Sequence, residues 1–559
     1  MVRSSCVFVI LFVFSISFIS ENLFAQYSNS YYLVSFNNKN NSNYSLTNPE
    51  AYLSERAIYR RLNAKINIDS TDLPVNKRNL DSLLNYGAII NYTSKWLNAA
   101  LIFIDDSTKL ELINNSSVVK NVQFLAPKLV TKKKSIKRYK LSVEYSSNSF
   151  DYEEAANAAE TFHRIRMIEL NQLIKNGNTG QDIQIAVLDN GFKNVNMLYA
   201  FSHLFDNGQI LGFKNFTTGG QDIFDSGTHG TYVLSTMGGY IENKFTGSAL
   251  GADYYLFQTE DNRYELPIEE VNWLIAAEYA DSLGVNIITS SLGYATYDSA
   301  QYNHNHSQLD GKTTIVSKAA EYAAAKGILV FNSAGNSARK PWRKILFPAD
   351  ANNILAVGSI NKDYETSSFS SLGYSADARV KPEITAIGEK AALINYLGDL
   401  IRGNGTSFSN PFMAGAAASL MSATNNTNAM QIRDAIIKSA HQYLNPDSTQ
   451  GYGIPNVYLA ALLLNNETVP KINNENSFVV APNPFQDEFH LLINSTGSEN
   501  IDIEIFSSRG KLVFRKSVVR INEGNNFYSI RDLKGLSQGT YFVSIIIGDN
   551  RITKKIVKY

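Results

Sequence analysis

Strands that alternate with helices in the central part of the chain, residues 150–465, constrain the fold most. The run "DIQIAVLD" ends at Asp189 and is almost continuously apolar, as is typical of a strand buried on both faces of a parallel sheet. Two segments with a helical period, 267–284 and 314–327, each lead directly into another apolar strand. Repetition of this strand–helix unit predicts an α/β domain with a doubly wound parallel sheet.

The preceding region, residues 26–149, mixes short strands with helices. The segments "YYLVSF", "GAIINYT", "WLNAALIFI" and "VVKNVQFLA" have strand patterns, and residues 48–64 are interpreted as one capped helix. This pattern predicts a small α+β domain. It ends in a basic run, residues 131–138, and a Ser-rich stretch up to Ser149, which fits both an exposed linker and a processing site.

The C-terminal region has the pattern of an all-β module. A polar bridge, residues 466–477, precedes strands that alternate with turns over residues 478–559. This length and spacing predict a small β-sandwich, with "NEGNN" at 522–526 as a loop. Separate domains are expected because a chain of 559 residues is too long for one hydrophobic core.

The N-terminus is interpreted as a signal peptide, residues 1–25. Arg3 precedes an apolar run at 7–19, which is too short to span a bilayer, and Ala25 offers a cleavage point. No second long apolar segment follows, so the mature chain is predicted to have no transmembrane segment. Cys6 is the single cysteine, and its removal would exclude a cysteine nucleophile and a cysteine-bound zinc.

The bulk charge favours neither nucleic acid nor an anionic membrane surface as a partner. The 51 Lys and Arg residues balance the 51 Asp and Glu residues, giving a formal net charge of +0. Nucleic acid is therefore not an expected partner.

Four polar residues fall at strand ends or helix starts of the predicted α/β domain: Asp189, His229, Asn336 and Ser407. Each alone has an ordinary structural explanation, such as a turn residue or a helix cap. Together they provide what hydroxyl-based catalysis needs: a nucleophile, a base, an acid that orients the base, and a donor for the oxyanion. The order Asp, His, Ser is one of the convergent orders of this triad.

These residues lie in blocks that resemble the signatures of the subtilisin-like serine peptidases. The blocks are "AVLDNGF", "HGTYV", "SAGN" and "GTSFSNPFMAG", with "KPEITAIG" at 381–388. The resemblance implies that Ser407 is the nucleophile, His229 the general base and then acid, and Asp189 the orienting carboxylate. It also implies that Asn336 and the backbone N–H of Ser407 stabilise the oxyanion, while Ser409 has a structural role.

The resemblance extends to the substrate site. Ser291, Leu292 and Gly293 resemble the edge segment that pairs with substrate backbone, although a plain strand end would look the same. Three further residues resemble the wall of the pocket for the residue before the scissile bond, and four others depart from the family pattern and leave the preference of the pocket open. The wall residues are Ser333, Ala334 and Gly335, and the departures are Asn190, Tyr232, Phe408 and Asn410.

The flanking regions have resemblances of their own. Residues 26–149 resemble the propeptide of a secreted bacterial subclass of these peptidases, which implies an inhibited precursor whose mature form begins between about Pro127 and Ser149. Residues 478–559 resemble a type IX secretion sorting domain, which implies export by an outer-membrane machine and a released or surface-attached product.

The sequence also bears on cofactors and on functions other than peptide-bond hydrolysis. The family often binds structural calcium but needs no cofactor for catalysis, and no EF-hand spacing locates a metal ligand here. A surface-displayed binding or adhesion protein on a peptidase scaffold is the alternative, disfavoured because all four catalytic groups are present. A lipase-like esterase would need a Gly-x-Ser-x-Gly elbow and the order Ser, acid, His, and neither surrounds Ser407.

Overall fold

The structure is a computed structural model that describes three folded regions of the chain. The predicted signal peptide, the basic run 131–138 and nearly all of the bridge 466–477 lie outside the described residues. The described ranges are 29–128, 144–145, 159–424, 427–443, 445–464 and, with short gaps at 482, 486, 488, 496–498, 522–523 and 532, 477–558.

The N-terminal domain is an antiparallel sheet in the order β2-β3-β1-β4, covered by helices. Tyr32, Val34 and Ile102 point to its own helices, whereas Leu33 and Leu101 belong to a core shared with the next domain. The elements are β1 (Ser30–Phe36), α1 (Glu55–Asn63), α2 (Lys77–Asn85), β2 (Ile89–Ser94), β3 (Ala99–Ile104), α3 (Ser107–Asn114) and β4 (Val119–Pro127).

The single helix predicted over residues 48–64 is wrong. Pro49–Ala51 forms a separate 3₁₀ turn, and α1 begins only at Glu55. Ser54 has an extended backbone, and its hydroxyl accepts a hydrogen bond from the N–H of Ala57. Ser54 also donates its own N–H to the carbonyl of Ser282 in the central domain, so a tertiary contact and a serine cap set the start of α1.

The central domain contains the predicted doubly wound sheet. Its strands are β5 (Glu144–Tyr145), β6 (Gln184–Asp189), β7 (Ile210–Asn215), β8 (Tyr240–Ile241), β9 (Phe245–Thr246), β10 (Asp253–Gln258), β11 (Ile287–Ser290), β12 (Leu329–Ser333), β13 (Leu355–Ile360), β14 (Ile384–Ile387), β15 (Ala391–Ile394) and β16 (Leu400–Asn404). Its helices are α4 (Ala159–Met167), α5 (Leu170–Lys175), α6 (Ser202–Asp206), α7 (His229–Gly238), α8 (Ile268–Leu283), α9 (Ile315–Ala325), α10 (Thr406–Ser422), α11 (Ala429–Lys438) and α12 (Val457–Leu464).

Seven of these strands pair in parallel in the order β14-β13-β12-β11-β6-β10-β7. The chain leaves β6 towards β7 and β10 and then returns to continue from β11 on the opposite side of β6. Such a reversal of strand order opens a crevice at the carboxyl ends of the strands. Asp189, at the end of β6, and Ser290, at the end of β11, border this crevice.

Helices cover both faces of the sheet, as the alternation of side chains along β6 shows. Ile185 and Val187 join the core formed with α7, α10, α11 and α12. Ala186 and Leu188 join the opposite core, formed with α8, α9 and the sheet of the N-terminal domain. Because both faces are buried, β6 has the near-continuous apolar sequence that predicted it.

The C-terminal domain packs two antiparallel sheets, β17-β18-β21 and β20-β19-β22-β23, around one core. The predicted loop 522–526 is partly wrong, because Gly524 already pairs with Ser495. The strands are β17 (Ser477–Ala481), β18 (Phe489–Ser495), β19 (Glu499–Ser507), β20 (Leu512–Ile521), β21 (Gly524–Ile530), β22 (Gly539–Ile547) and β23 (Asn550–Lys558). In the part of the chain that the structure describes, no helix has the length and apolar character needed to cross a membrane.

Candidate active site

The first pair of predicted site residues, Asp189 and His229, meets at the carboxyl edge of the sheet. His229 Nδ1 lies 2.8 Å from Asp189 Oδ1 and 3.1 Å from Oδ2. The carboxylate is fully buried, and its Oδ1 also accepts a hydrogen bond from the N–H of Asn190. A carboxylate that accepts the Nδ1 proton leaves Nε2 of the neutral imidazole as the acceptor.

Close backbone contact between two loops brings His229 to Asp189. Gly227 has φ +71°, and a Cβ atom there would overlap the carbonyl oxygen of Asn190. A Cβ atom at Gly230 would likewise collide with the carbonyl oxygen of Gly191. Glycines on both sides of His229 therefore let the start of α7 approach the end of β6.

Ser407 is the second residue of α10 and does not act as a helix cap. Gly405 occupies the N-cap position, and no side chain of the described residues caps the helix there. Ser407 is fully buried, and within the part of the chain that the structure describes neither its Oγ nor Nε2 of His229 has a hydrogen-bond partner. The imidazole ring lies 6.2 Å, centroid to centroid, from the ring of Phe408, which follows Ser407.

Asn336 approaches the start of α10 from the loop after β12. Its Oδ1 accepts hydrogen bonds from Thr406 N at 3.0 Å and Thr406 Oγ1 at 2.9 Å. Its Nδ2 is buried and has no hydrogen-bond partner among the residues that the structure describes. The point that a Cβ atom would occupy at Gly405 lies 3.4 Å from this Nδ2 and 3.6 Å from Ser407 N. The two nitrogens thus border one space, which a side chain at position 405 would fill.

The two predicted substrate segments flank the start of α10. Ser291 Oγ donates to the carbonyl of Ser407 at 3.0 Å, and Gly335 N donates to Thr406 Oγ1 at 3.2 Å. The strands that carry them, β11 and β12, are neighbours in the sheet. Residues 291–293 and 333–335 therefore form two walls with Ser407 at their end, which we call the cleft. The wall residues Leu292, Ser333 and Ala334 are buried.

Two residues that were not among the predicted site residues hold the start of α10. Arg164 is buried and donates to the carbonyl of Phe408 at 2.8 Å, with its guanidinium 4.3 Å from the ring centroid of Phe412. Thr406 orients the amide of Asn336 through the two bonds described above. Thr406 lies inside a recognised motif, but Arg164 is more than two hundred residues away and only its contact identifies it.

The neighbours of the nucleophile candidate are structural. Ser409 Oγ donates to the carbonyl of Thr406, and Asn410 Nδ2 donates to Thr289 Oγ1 and to the carbonyl of Ser290. Asn410 thereby ties α10 to the end of β11. Among the described residues, no group of three or more His, Cys, Asp or Glu is placed to hold a metal ion, so no calcium ligand is assigned.

Comparison with protein families identifies all three folded regions. Residues 180–453 match the subtilase family, residues 31–140 match the peptidase S8 propeptide domain of Bacteroidota, and residues 479–559 match the secretion system C-terminal sorting domain. The central match defines a serine-type endopeptidase, a hydrolase. Through residues 180–453 the chain belongs to the subtilase family.

Similarity to individual bacterial serine peptidases supports the same assignment. Subtilisin NAT of Bacillus subtilis subsp. natto is 26% identical over 386 residues, covering 68% of this chain and 85% of the relative. Subtilisin of Bacillus pumilus is 28% identical over 305 residues, which is 53% of this chain and 97% of that protein. The thermophilic serine proteinase of Bacillus sp. (strain AK1) is 27% identical over 293 residues, covering 51% and 63% of the two chains.

The flanking domains indicate how the enzyme is made and where it is exported. A propeptide domain ahead of a peptidase domain means that the enzyme is made as a precursor. The sorting domain directs the protein through type IX secretion to the outside or the surface of the cell.

Proposed function

We propose that this secreted precursor becomes an endopeptidase that uses Ser407 as nucleophile, His229 as base and acid, and Asp189 as the orienting carboxylate. One observation carries the proposal: the Asp189–His229 hydrogen bond stands beside three buried polar atoms that have no partner among the described residues, His229 Nε2, Ser407 Oγ and Asn336 Nδ2. Leaving such an atom unpaired costs about 1–3 kcal/mol. A substrate that pairs with all three during the reaction accounts for this cost.

The proton transfers follow from the tautomer that Asp189 imposes. Ser407 Oγ attacks the carbonyl carbon of the scissile bond while His229 Nε2 takes the hydroxyl proton. Asp189 keeps the imidazole oriented and stabilises the imidazolium. His229 then gives the proton to the departing amine, which leaves an acyl-enzyme. Water, activated by the same Nε2, hydrolyses the acyl-enzyme and restores Ser407.

The space beside Gly405 is the proposed oxyanion site. Asn336 Nδ2 and Ser407 N both border it, and Thr406 holds the amide of Asn336 in this orientation. The N–H groups in the first turn of α10 have no partners within the helix, and the helix dipole favours negative charge there. Donors fixed in place stabilise the developing oxyanion without reorganising during the reaction.

The substrate is proposed to lie along the cleft. Its backbone would extend beside residues 291–293 as an added strand. The side chain before the scissile bond would point between the two walls towards residues 333–335, which places its carbonyl carbon in front of Ser407. Peptide and protein chains are therefore the proposed substrates.

The N-terminal domain is the proposed intramolecular inhibitor. It is fixed to the central domain by a buried set of charges that we call the propeptide interface. Asp281 of α8 accepts hydrogen bonds from Arg61 Nη2 at 2.9 Å and from Lys95 Nζ at 2.7 Å. The full set comprises Arg60, Arg61, Asp72 and Lys95 of the N-terminal domain with Glu278, Asp281 and Lys326 of the central domain.

The chain between the two domains passes near the nucleophile. Glu144 and Tyr145 pair antiparallel with Asn404 and Gly403, just before Ser407. This position supports removal of the N-terminal domain by the enzyme itself. If removal is autocatalytic, Ser407→Ala stays uncut while the parent protein acquires a new N-terminus between about Pro127 and Ser149, as N-terminal sequencing will report. Identical processing of both proteins would point to another protease.

A fluorophosphonate probe tests the proposed site directly. The mature protein should be labelled, and both Ser407→Ala and His229→Ala should abolish labelling. Ser409→Ala is the matched control because, among the described residues, its hydroxyl binds only the carbonyl of Thr406, so labelling should persist. A mature protein that the probe does not label would overturn the proposal and favour a binding or adhesion protein on a peptidase scaffold.

A further inference from the structure

Leu346 has unusual surroundings for a buried leucine. It is 7% exposed, yet among the described residues the cores on the two sides of the sheet include its neighbours Ile345 and Phe347 and not Leu346 itself. Its side chain lies instead between two glycines. A Cβ atom at Gly293 would lie 2.8 Å from Leu346 Cβ, and one at Gly335 would lie 2.7 Å from Leu346 Cγ.

These glycines belong to the opposite walls of the cleft, so Leu346 lies between the walls. Its backbone joins them as well, because Leu346 N donates to the carbonyl of Ala334 at 3.0 Å. The next residue, Phe347, exchanges two backbone hydrogen bonds with Tyr294, at 2.9 and 3.1 Å. Backbone bonds to Ala334 in one wall and to Tyr294, directly after the other wall, fix the segment 345–347 and hold the leucine side chain in place.

The space between the walls is where the proposed mechanism directs the substrate side chain before the scissile bond. Glycines at 293 and 335 would leave that space wide, but the isobutyl group of Leu346 takes it up. Neither wall can retreat freely, since Ser291 and Gly335 are both bonded to the start of α10. A large side chain could enter only by displacing Leu346 or by separating the walls from Ser407.

Resting on the function proposed above, we propose that Leu346 closes the pocket for the residue before the scissile bond, so that the enzyme cleaves after glycine, alanine or serine. Large aromatic and branched side chains are excluded by volume. In hydrophobic pockets one methylene changes kcat/KM about 10- to 200-fold. Exclusion of a benzyl group should therefore lower kcat/KM at least about 100-fold relative to alanine.

The test compares peptides that differ only at this residue: Gly, Ala or Phe. The kcat/KM of the mature enzyme should be at least about 100-fold higher for the Ala and Gly peptides than for the Phe peptide. Leu346→Ala should raise kcat/KM for the Phe peptide about tenfold or more while the Ala peptide changes little. Leu397→Ala, which removes the same atoms from a side chain that is 64% exposed, should keep the parent preference.

Active-site titration with the fluorophosphonate probe separates the two proposals. A protein that is not labelled would refute the catalytic assignment. A labelled enzyme that cleaves after Phe as efficiently as after Ala would refute the role of Leu346 alone, and that measurement needs no variant to fold. A labelled Leu346→Ala enzyme that still rejects Phe would also overturn the role of Leu346.

Discussion

The cleft and the propeptide interface both keep polar side chains away from water, but they pair them differently. In the cleft, Nε2 of His229, Oγ of Ser407 and Nδ2 of Asn336 have no hydrogen-bond partners in the described ranges of the chain. At the propeptide interface, Asp281 alone is bonded to three cationic side chains, and Glu278 accepts hydrogen bonds from Ser94 Oγ and from two backbone N–H groups.

This difference matches what each region must do. Unpaired donors and acceptors are useful only where a transient partner arrives, and they cost stability until it does. Paired charges hold two surfaces together, and after separation each charge is solvated again. An apolar interface could hold the two domains together as well. The peptidase would then expose an apolar patch once the N-terminal domain is removed. A charged interface therefore suits a domain that has to leave.

The strongest test of the cleft removes its proposed base. His229→Ala should lower kcat about 10⁶-fold, the loss measured for the equivalent removal in subtilisin, a member of this family. The physical reason is that Ser407 Oγ then has no group to take its proton. Steady-state cleavage of an alanine peptide measures the effect, with His163→Ala, on the exposed surface of α4, as the control. Retention of more than a thousandth of the parent kcat would show that another base serves Ser407.

The strongest test of the propeptide interface removes its central carboxylate. Asp281→Asn would leave Arg60, Arg61 and Lys95 near a neutral group in a buried site. Breaking such a pair costs about 3–5 kcal/mol, which corresponds to roughly 10²- to 4 × 10³-fold in the docking equilibrium. Hydrogen exchange of α1 in a Ser407→Ala background should accelerate by this factor. In the control Asp81→Asn, the lost partner is the exposed Lys77, and exchange of α1 should not change.

A smaller effect is expected from the proposed oxyanion donor. Asn336→Ala should lower kcat about 10²- to 10³-fold, as found for the equivalent donor in subtilisin. Because the donor acts on the oxyanion of the transition state, KM should change little. Thr406→Val retains the backbone N–H bond to Asn336 but loses the hydroxyl bond, so it should lower kcat less. If kcat falls and KM rises by similar factors, the substitution has instead distorted the cleft as a whole.

Much of this arrangement could be predicted because it depends on local pattern. The apolar run of β6 and the two long amphipathic helices predicted a parallel sheet, and parallel strands bring their carboxyl ends to one edge. The motifs around Asp189, His229 and Ser407 also predict the chemistry, and that assignment stays a prediction. The sheet brings the end of β6 to the crevice, whereas the approach of His229 depends on Gly227 and Gly230 as well.

Contacts between distant segments were not predictable in the same way. Leu346 follows no motif, and its position in the cleft depends on backbone bonds to residues 294 and 334. The break before Ser54 depends on a bond to Ser282, which local helix propensity does not register. The partners of Asp281 come from positions about two hundred residues earlier. Such pairings are decided by tertiary packing and leave no periodic trace in the sequence.

The smallest expected effect concerns pH and would sharpen the contrast between the two regions. Burial raises the pKa of the Glu278 carboxyl from 4.5 to about 7, although hydrogen bonds from Ser94 and attraction to Lys95 oppose the shift. Asp281 does not titrate in this range. Burial disfavours its ionised form, but the attraction to Lys95, Arg60 and Arg61 is stronger and lowers its pKa. Burial lowers the pKa of the neighbouring Lys39 to about 8, so it titrates mainly above pH 7. Between pH 4.5 and 7 the docking equilibrium should therefore respond mainly to Glu278.

The sign follows from the proton balance. The docked state holds the Glu278 proton more tightly than the separated state, so its contribution to docking is complete below about pH 4.5 and is lost as the pH rises through about 7. Docking should weaken by about tenfold or more between pH 5 and pH 7.5, measured as hydrogen exchange of α1 corrected for the intrinsic dependence of exchange on pH. Glu278→Gln, which cannot ionise, should remove most of this dependence. If that variant keeps the parent pH profile, the response belongs to another group.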